Sequence, residues 1–230
     1  MSVRQRIPWV RLMADAAAIV ASILIAFALD AAWARHQDRL QEREILKGLA
    51  DEFQANAEAV RLSIQAGRNQ AETLDRLLRL TPAEIRALDD QETVQLAEIF
   101  THRPFDPEQA ELDAVIASGS FDILQDPELK RALSGWRRLL AKLEKQEEIQ
   151  LDASNKLLDR LTGFGVADAL VVALGSGGGD ILREAWAAAM SDPGVRDAAA
   201  ATLLVRHSYV SGDLLSVEAE ADAVAGLLER

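Results

Sequence analysis

Few residues in this chain have the types and spacing that chemistry needs. "LGSGGGD", residues 174–180, has the glycine density of a phosphate-cradling loop. Such a loop requires a strand before it and a Lys-Ser/Thr pair at the start of the following helix. Here Asp180, itself an anion, stands where phosphate would bind, so the stretch reads as a linker. His36, His102 and His207 are isolated, with no second histidine three or four residues away to complete a metal site. "EKQEE", residues 144–148, gathers carboxylates but lacks the Glu-x-x-His motif of di-iron bundles, and reads as a solvated helix face. No serine sits in a Gly-x-Ser-x-Gly turn, and the chain has no cysteine. The expectation is no catalytic residues, no cofactor and no metal, hence no enzyme.

Composition sets the elements that remain. The chain has 230 residues, 49% apolar but only 5% aromatic, and it is dominated by Ala and Leu. That favours packed helices over sheets. The net charge is −12, and residues 35–230 carry 22 basic against 35 acidic residues. Such a body repels nucleic acid and anionic lipid heads.

The opening stretch "AAAIVASILIAFALDAAWARHQ", residues 16–37, is apolar enough for lipid. The uncharged run from Ala16 to Leu29 is short of the ~20 residues that a span needs, but its flanks extend it. Trp9 and Trp33 are 24 residues apart, about 36 Å along a helix, which suits two interfacial belts. Asp15 and Asp30 then fall near the headgroups. Ala14, Ala18, Ser22 and Ala26 form an every-fourth stripe that lets helices approach closely in lipid. Two rival readings exist. Ala32-Trp33-Ala34 offers a signal-peptidase-like site, and a soluble buried helix has the same composition. Helix-forming sequence continues unbroken past Ala34, which favours an uncleaved transmembrane anchor over 14–34. Lys and Arg number three before the run and four just after it, so orientation rests on a slender margin. We expect residues 1–13, a basic segment, inside and the body, 35–230, outside the cytoplasm.

Beyond the anchor, residues 35–80 read as one long helix with a heptad seam of Leu46, Leu49, Phe53, Val60, Leu74 and Leu77. Thr81-Pro82-Ala83-Glu84 is a capping box that opens a short helix, and another runs through Val94 to Phe100. In "THRPFDPEQAEL", Asp106 is the expected N-cap and Pro107 the first helical residue; that helix should stop at Gly119. Asp126-Pro127-Glu128 opens a second long helix to Thr162, with a seam of Leu129, Leu133, Trp136, Leu140, Leu143, Leu157 and Leu161. Residues 163–179 break it, with a short helical piece at 166–174. Asp180 is the expected cap of a helix to Met190. Ser191-Asp192-Pro193 opens a final helix to Leu228. The expected fold is all-α: an N-terminal transmembrane helix continuous with a long helix, then an up-down bundle of four main helices with short ones inserted.

Both long seams turn polar in the middle: Asn56, Ser63, Gly67 and Gln70 on the first, Glu147, Gln150 and Ser154 on the second. If the helices pair, Asn56, Ser63 and Gln70 would face Gln150 and Ser154. That would form either a register device that costs stability or a hydrated section that admits a polar ligand.

Residues 19–60, "IVASILIAFALDAAWARHQDRLQEREILKGLADEFQANAEAV", resemble the start of a group of uncharacterised bacterial single-pass membrane proteins. Their pattern is Leu-Asp-x-x-Trp at the end of an apolar helix, then Leu-x-x-Glu-hydrophobic-x-x-Asn. Here these are Leu29 to Trp33 and Leu49 to Asn56. "IASGSFDILQDPELKRALSGW" (116–136) and "SDPGVRDAAAATLLVRHSYV" are similar to later segments of the group. The resemblance implies a domain of unknown function with an N-terminal anchor and a helical extracytoplasmic body, and no activity.

Two functions are thus expected. The first is a membrane-anchored, non-enzymatic interaction or structural module in the bacterial inner membrane, with a periplasmic body. Its partners would be the lipid bilayer and a second copy of itself or another membrane protein. The alternative is a ligand-binding, sensor-like bundle that signals through a partner. A third idea, ion handling by Asp15, is weakened by Arg11 four residues away, which suits a structural ion pair.

Overall fold

The computed structural model describes residues 9–100, 103–176 and 178–230, without the side chains of residues 9–12, 14, 16 and 176. All regular structure among them is helical. The first helix, α1 (Trp9–Arg79), is 71 residues long, about 105 Å at 1.5 Å per residue. Nothing interrupts it. Its sequence has no proline and only two glycines, and Pro82 lies just beyond its end. An 18-residue window near its start has a mean hydropathy of 2.1 and none of it is buried. Among the described residues, one helix is therefore long and apolar enough to cross a membrane. A helix buried in this chain's own core, the third reading above, is not what the fold holds.

Burial begins at Ile45 and continues to Leu77, along the expected seam. Leu46 is only half-buried, because Ile45 takes the inner position. Thr81 caps α2 (Pro82–Arg86) with a complete capping box: Glu84 N–H donates to Thr81 Oγ1 at 3.3 Å, and Thr81 N–H to Glu84 Oε2 at 2.8 Å. A second box, Asp89 with Glu92, opens α3 (Asp90–Gln95), which tightens into a 3₁₀ turn over Leu96–Phe100. Then come α4 (Ala110–Ala117), α5 (Pro127–Thr162), α6 (Val166–Ser176), α7 (Gly179–Ser191), α8 (Pro193–Ser208) and α9 (Leu215–Leu228). Asp126 and Asp192 cap α5 and α8 as the Asp-Pro signals require.

The core has two apolar clusters, and their membership fixes the topology. One joins Ile45–Ile64 of α1, Leu112 and Val115 of α4, Leu129–Leu143 of α5 and Val217–Val224 of α9. The other joins Leu74 and Leu77, Ile85, Leu96 and Ile99, Leu157 and Leu161, Trp186, and Val195 and Ala199. Thus α1 and α5 run the same way. The α8–α9 rung runs back, packed against both, and residues 82–126 return as short helices and loop. The result is an up-down bundle whose second rung is broken into pieces. The α1 and α5 rungs face across the core through Phe53 and Trp136, ring centroids 5.1 Å apart.

Three expectations need correction. Asp106 does not cap α4: Gln109 holds the N-cap position, and no cap side chain of its own serves the helix. The capping groups come from α1 instead, as described below. Asp180 does not cap α7 either. Gly178 is the N-cap residue, and Asp180 lies in the first turn, bonded to Arg183. The last helix is not uniform. A π-helical turn, Tyr209–Leu214, separates α8 from α9 and carries Val210 against Gly67 of α1. A Cβ on Gly67 would lie 2.5 Å from Val210 Cγ2, so only glycine admits this approach.

Candidate functional site

Two regions hold the residues singled out from the sequence. The first is the projecting part of α1. Ala18, Ser22 and Ala26 are exposed on it, as are Asp30 and Trp33. The Ser22 hydroxyl donates to the Ala18 carbonyl at 2.8 Å, so the stripe presents no free hydroxyl proton. Trp33 lies 6.1 Å from His36, ring to ring. The side chains of Trp9 and Ala14 lie outside the described residues, as does His102.

The second region is the inside of the bundle. Asn56, at 0% exposure, does not face Gln150. Its Nδ2 donates to the Glu108 carbonyl at 2.8 Å, and its Oδ1 accepts the Glu108 N–H at 2.7 Å. The amide thus pairs with the backbone of the loop before α4 as a strand partner would. One turn earlier, Glu52 accepts the N–H of Glu111 at 2.6 Å and that of Leu112 at 3.3 Å. Those are orphan donors of the first turn of α4, which a local N-cap would otherwise satisfy. The Leu49–Asn56 motif therefore has a structural task. Leu49 and Phe53 enter the core, while Glu52 and Asn56 hold α4 and its entry loop on α1.

Burial pushes the Glu52 carboxyl above its ordinary range. Glu111 and Glu108 add to the rise, and the two N–H donors oppose it. An acid with a raised folded pKa binds its proton more tightly in the native state. Its contribution to stability is full below the ordinary value of about 4.3 and is lost as pH rises through the folded pKa. As pH rises above that ordinary value, the melting temperature of wild type should therefore fall more steeply than that of Glu52→Gln, whose amide does not titrate. Parallel profiles for the two proteins would refute this.

Between the two apolar clusters every long rung turns polar. Ser63 and Gln70 of α1, Gln150 of α5, and Thr202 and Arg206 of α8 are buried there, and Ser154 is half-buried. The polar middles of α1 and α5 lie in this layer, whereas Asn56 lies level with the first apolar cluster and pairs with Glu108 instead. At the edge of the layer, Tyr209 of the π turn donates its hydroxyl to Glu147 Oε1 at 2.6 Å. The same oxygen accepts Phe105 N–H at 3.2 Å. Burial and the Glu147 carboxylate hold the tyrosine proton firmly in place. Asp213, also buried, accepts from Lys142 Nζ at 2.9 Å.

Arg206 and Tyr209 escaped the sequence reading, although their spacing carries a signal. Val195, Ala199, Thr202, Arg206 and Tyr209 recur at four and three residues, so Arg206 occupies a core position of the seam. The spacing then becomes 4-4-4 through Asp213, Val217 and Ala221. Such a run leaves one residue more than a heptad accommodates, and the π turn absorbs it.

Among the described residues, no group of three or more His, Asp or Glu is arranged to hold a metal ion. The buried side-chain donors without partners among the described residues are the indole N–H of Trp136 and of Trp186, Gln150 Nε2 and Arg206 Nε. No protein-family model matches the chain, and the searches of curated proteins and of solved structures also found no match.

Proposed function

We propose that this chain is a membrane-anchored, non-enzymatic helical module. The observation that carries the reading is the continuity of α1. Its wholly exposed apolar stretch and its buried rung in the bundle are one uninterrupted helix. A stretch of large exposed apolar residues, including Ile19, Leu24, Ile25, Phe27 and Leu29, is far above what a water-facing helix carries and suits lipid. The anchor spans the bacterial inner membrane once, with residues 1–13 inside and the acidic bundle in the periplasm. The resemblance to bacterial single-pass membrane proteins supports the same arrangement. The module acts by binding another copy of itself or a membrane-protein partner, since its anchor offers a stripe of small residues at Ala14, Ala18, Ser22 and Ala26.

Three measurements test this. N-terminal sequencing of the membrane fraction should find no chain beginning at Arg35; such a chain would mean a cleaved signal. A reporter active only outside the cytoplasm, fused after Arg230, should work, and a cytoplasm-only reporter should fail there. The particle purified in mild detergent should have a native protein mass above one chain of 25.1 kDa. If the stripe is the contact, Ser22→Ile or Ala26→Ile should lower that mass, because a branched side chain holds the backbones apart. A one-chain mass with no second protein bound would overturn the interaction reading.

A further inference from the structure

The polar layer contains an arginine that the anchor reading does not use. Of the three charged residues buried among the described ones, Glu52 has its two backbone donors and Asp213 has Lys142. Arg206, 2% exposed, has no ion-pair partner among the described residues. Its Nη1 reaches the Ile99 carbonyl at 3.4 Å and its Nη2 the Ser154 hydroxyl at 3.3 Å, both long. Its Nε–H has no partner among the described residues. Gln150, one turn before Ser154, also has an unpartnered Nε2. The chain has a net charge of −12, so carboxylates are plentiful, yet none among the described residues forms an ion pair with this guanidinium. An isolated buried charge is strongly unfavourable unless something neutralises it.

A cavity of about 90 Å³ lies against Arg206. Ser154, Asn155 and Thr202 line its polar side, and Phe100, Leu151 and Leu158 its apolar side. We infer that this cavity binds a small monocarboxylate, its oxygens on Arg206 and its short apolar tail among Phe100, Leu151 and Leu158. The pieces match chemically. A guanidinium offers a planar fork of donors to a carboxylate. Ser154 Oγ accepts from Arg206, which leaves its own O–H free to donate to the bound anion. The Thr202 hydroxyl is engaged by the Ala153 and Ala198 carbonyls and only lines the wall. At about 90 Å³ the cavity is several times the ~10–15 Å³ that one water needs, so it admits a small organic anion. Glu147, two turns before Ser154, is held by Tyr209 and Phe105 and does not compete for Arg206. The inference stands whether or not the chain is anchored in a membrane.

The test uses the full chain in mild detergent and intrinsic tryptophan fluorescence. Sodium propionate should raise the melting temperature of wild type by about 4 °C over the same concentration of sodium gluconate, as binding at about tenfold excess over Kd would. Gluconate matches ionic strength, and its polyhydroxyl chain does not suit an apolar side formed by Phe100, Leu151 and Leu158. Chloride should give a smaller rise, since it leaves the apolar side unfilled. Arg206→Met should melt no lower than wild type in gluconate, because an apolar side chain replaces an unpaired buried charge, and should lose the propionate rise. If that variant does not fold, Ser154→Leu, which fills the cavity and keeps Arg206, carries the same expectation. No rise in wild type, an equal rise in the folded variant, or a chloride rise as large as that with propionate would each overturn the assignment.

Discussion

Asn56→Leu should destabilise the bundle by about 2–3 kcal/mol, because it leaves two backbone groups of the α4 loop without partners at once. For a domain of this size that lowers the melting temperature by about 7 °C. The amide of Asn56 accepts from Glu108 N–H and donates to Glu108 C=O. Leucine does neither. The residue is fully buried beneath a loop that also carries Phe105, whose ring lies 6.3 Å from Trp136. Lifting the loop would therefore loosen part of the first apolar cluster as well. Thermal unfolding of wild type and variant decides the matter. A seam polar residue that serves only register would give the opposite sign, since a buried polar group at a heptad core position usually costs stability. A variant that melts higher than wild type would show that the Glu108 pairing adds nothing.

That reversal of sign shows where sequence reasoning stops. Asn56 is visible as a polar residue in an apolar seam, and its neighbours Leu49, Phe53 and Val60 are core residues as the seam requires. Its partner is the obstacle. Glu108 lies 52 residues away in a loop, and no local pattern says which backbone a side chain will meet. The same long-range contact defeated the Asp106 cap. Asp-Pro is a sound start signal at Asp126 and Asp192, where the chain is free to choose its own cap. Near α4 the chain is fixed by Asn56, and Glu52 supplies the capping carboxylate from another helix. Local devices were legible: the Thr81 box, the Gly119 stop with its φ of 75°, and the extent of α5. The π turn was present in the spacing of α8–α9 but reads as an irregularity until Gly67 is seen to receive Val210. Arg206 was hidden for another reason. An arginine is normally a surface residue, so composition argues against the core position that its register gives it.

Ile23→Arg combined with Leu24→Arg should remove the chain from membranes. Both residues lie in the middle of the uncharged run between Ala16 and Leu29, and both are exposed on α1. At a helix centre each arginine costs about 3 kcal/mol to insert while the lost Ile or Leu forfeits a few tenths more, so the pair opposes insertion by about 7 kcal/mol. Against a run already shorter than the ~20 residues of an ordinary span, that leaves little to hold the helix in lipid. Membrane pellets washed at alkaline pH should retain wild type and lose the double variant. The folded body provides the control. Burial begins at Ile45, 22 residues beyond Ile23 and about 33 Å along the helix. The two arginines therefore touch nothing in the core, and the unfolding midpoint of the bundle should not move. A variant that stays in the washed pellet would show that this stretch is not what holds the chain there. A variant that leaves the membrane but also melts lower would show that the anchor supports the fold. A variant that leaves it with its midpoint intact separates the two tasks of α1: holding the protein in lipid, and forming the first rung of the bundle.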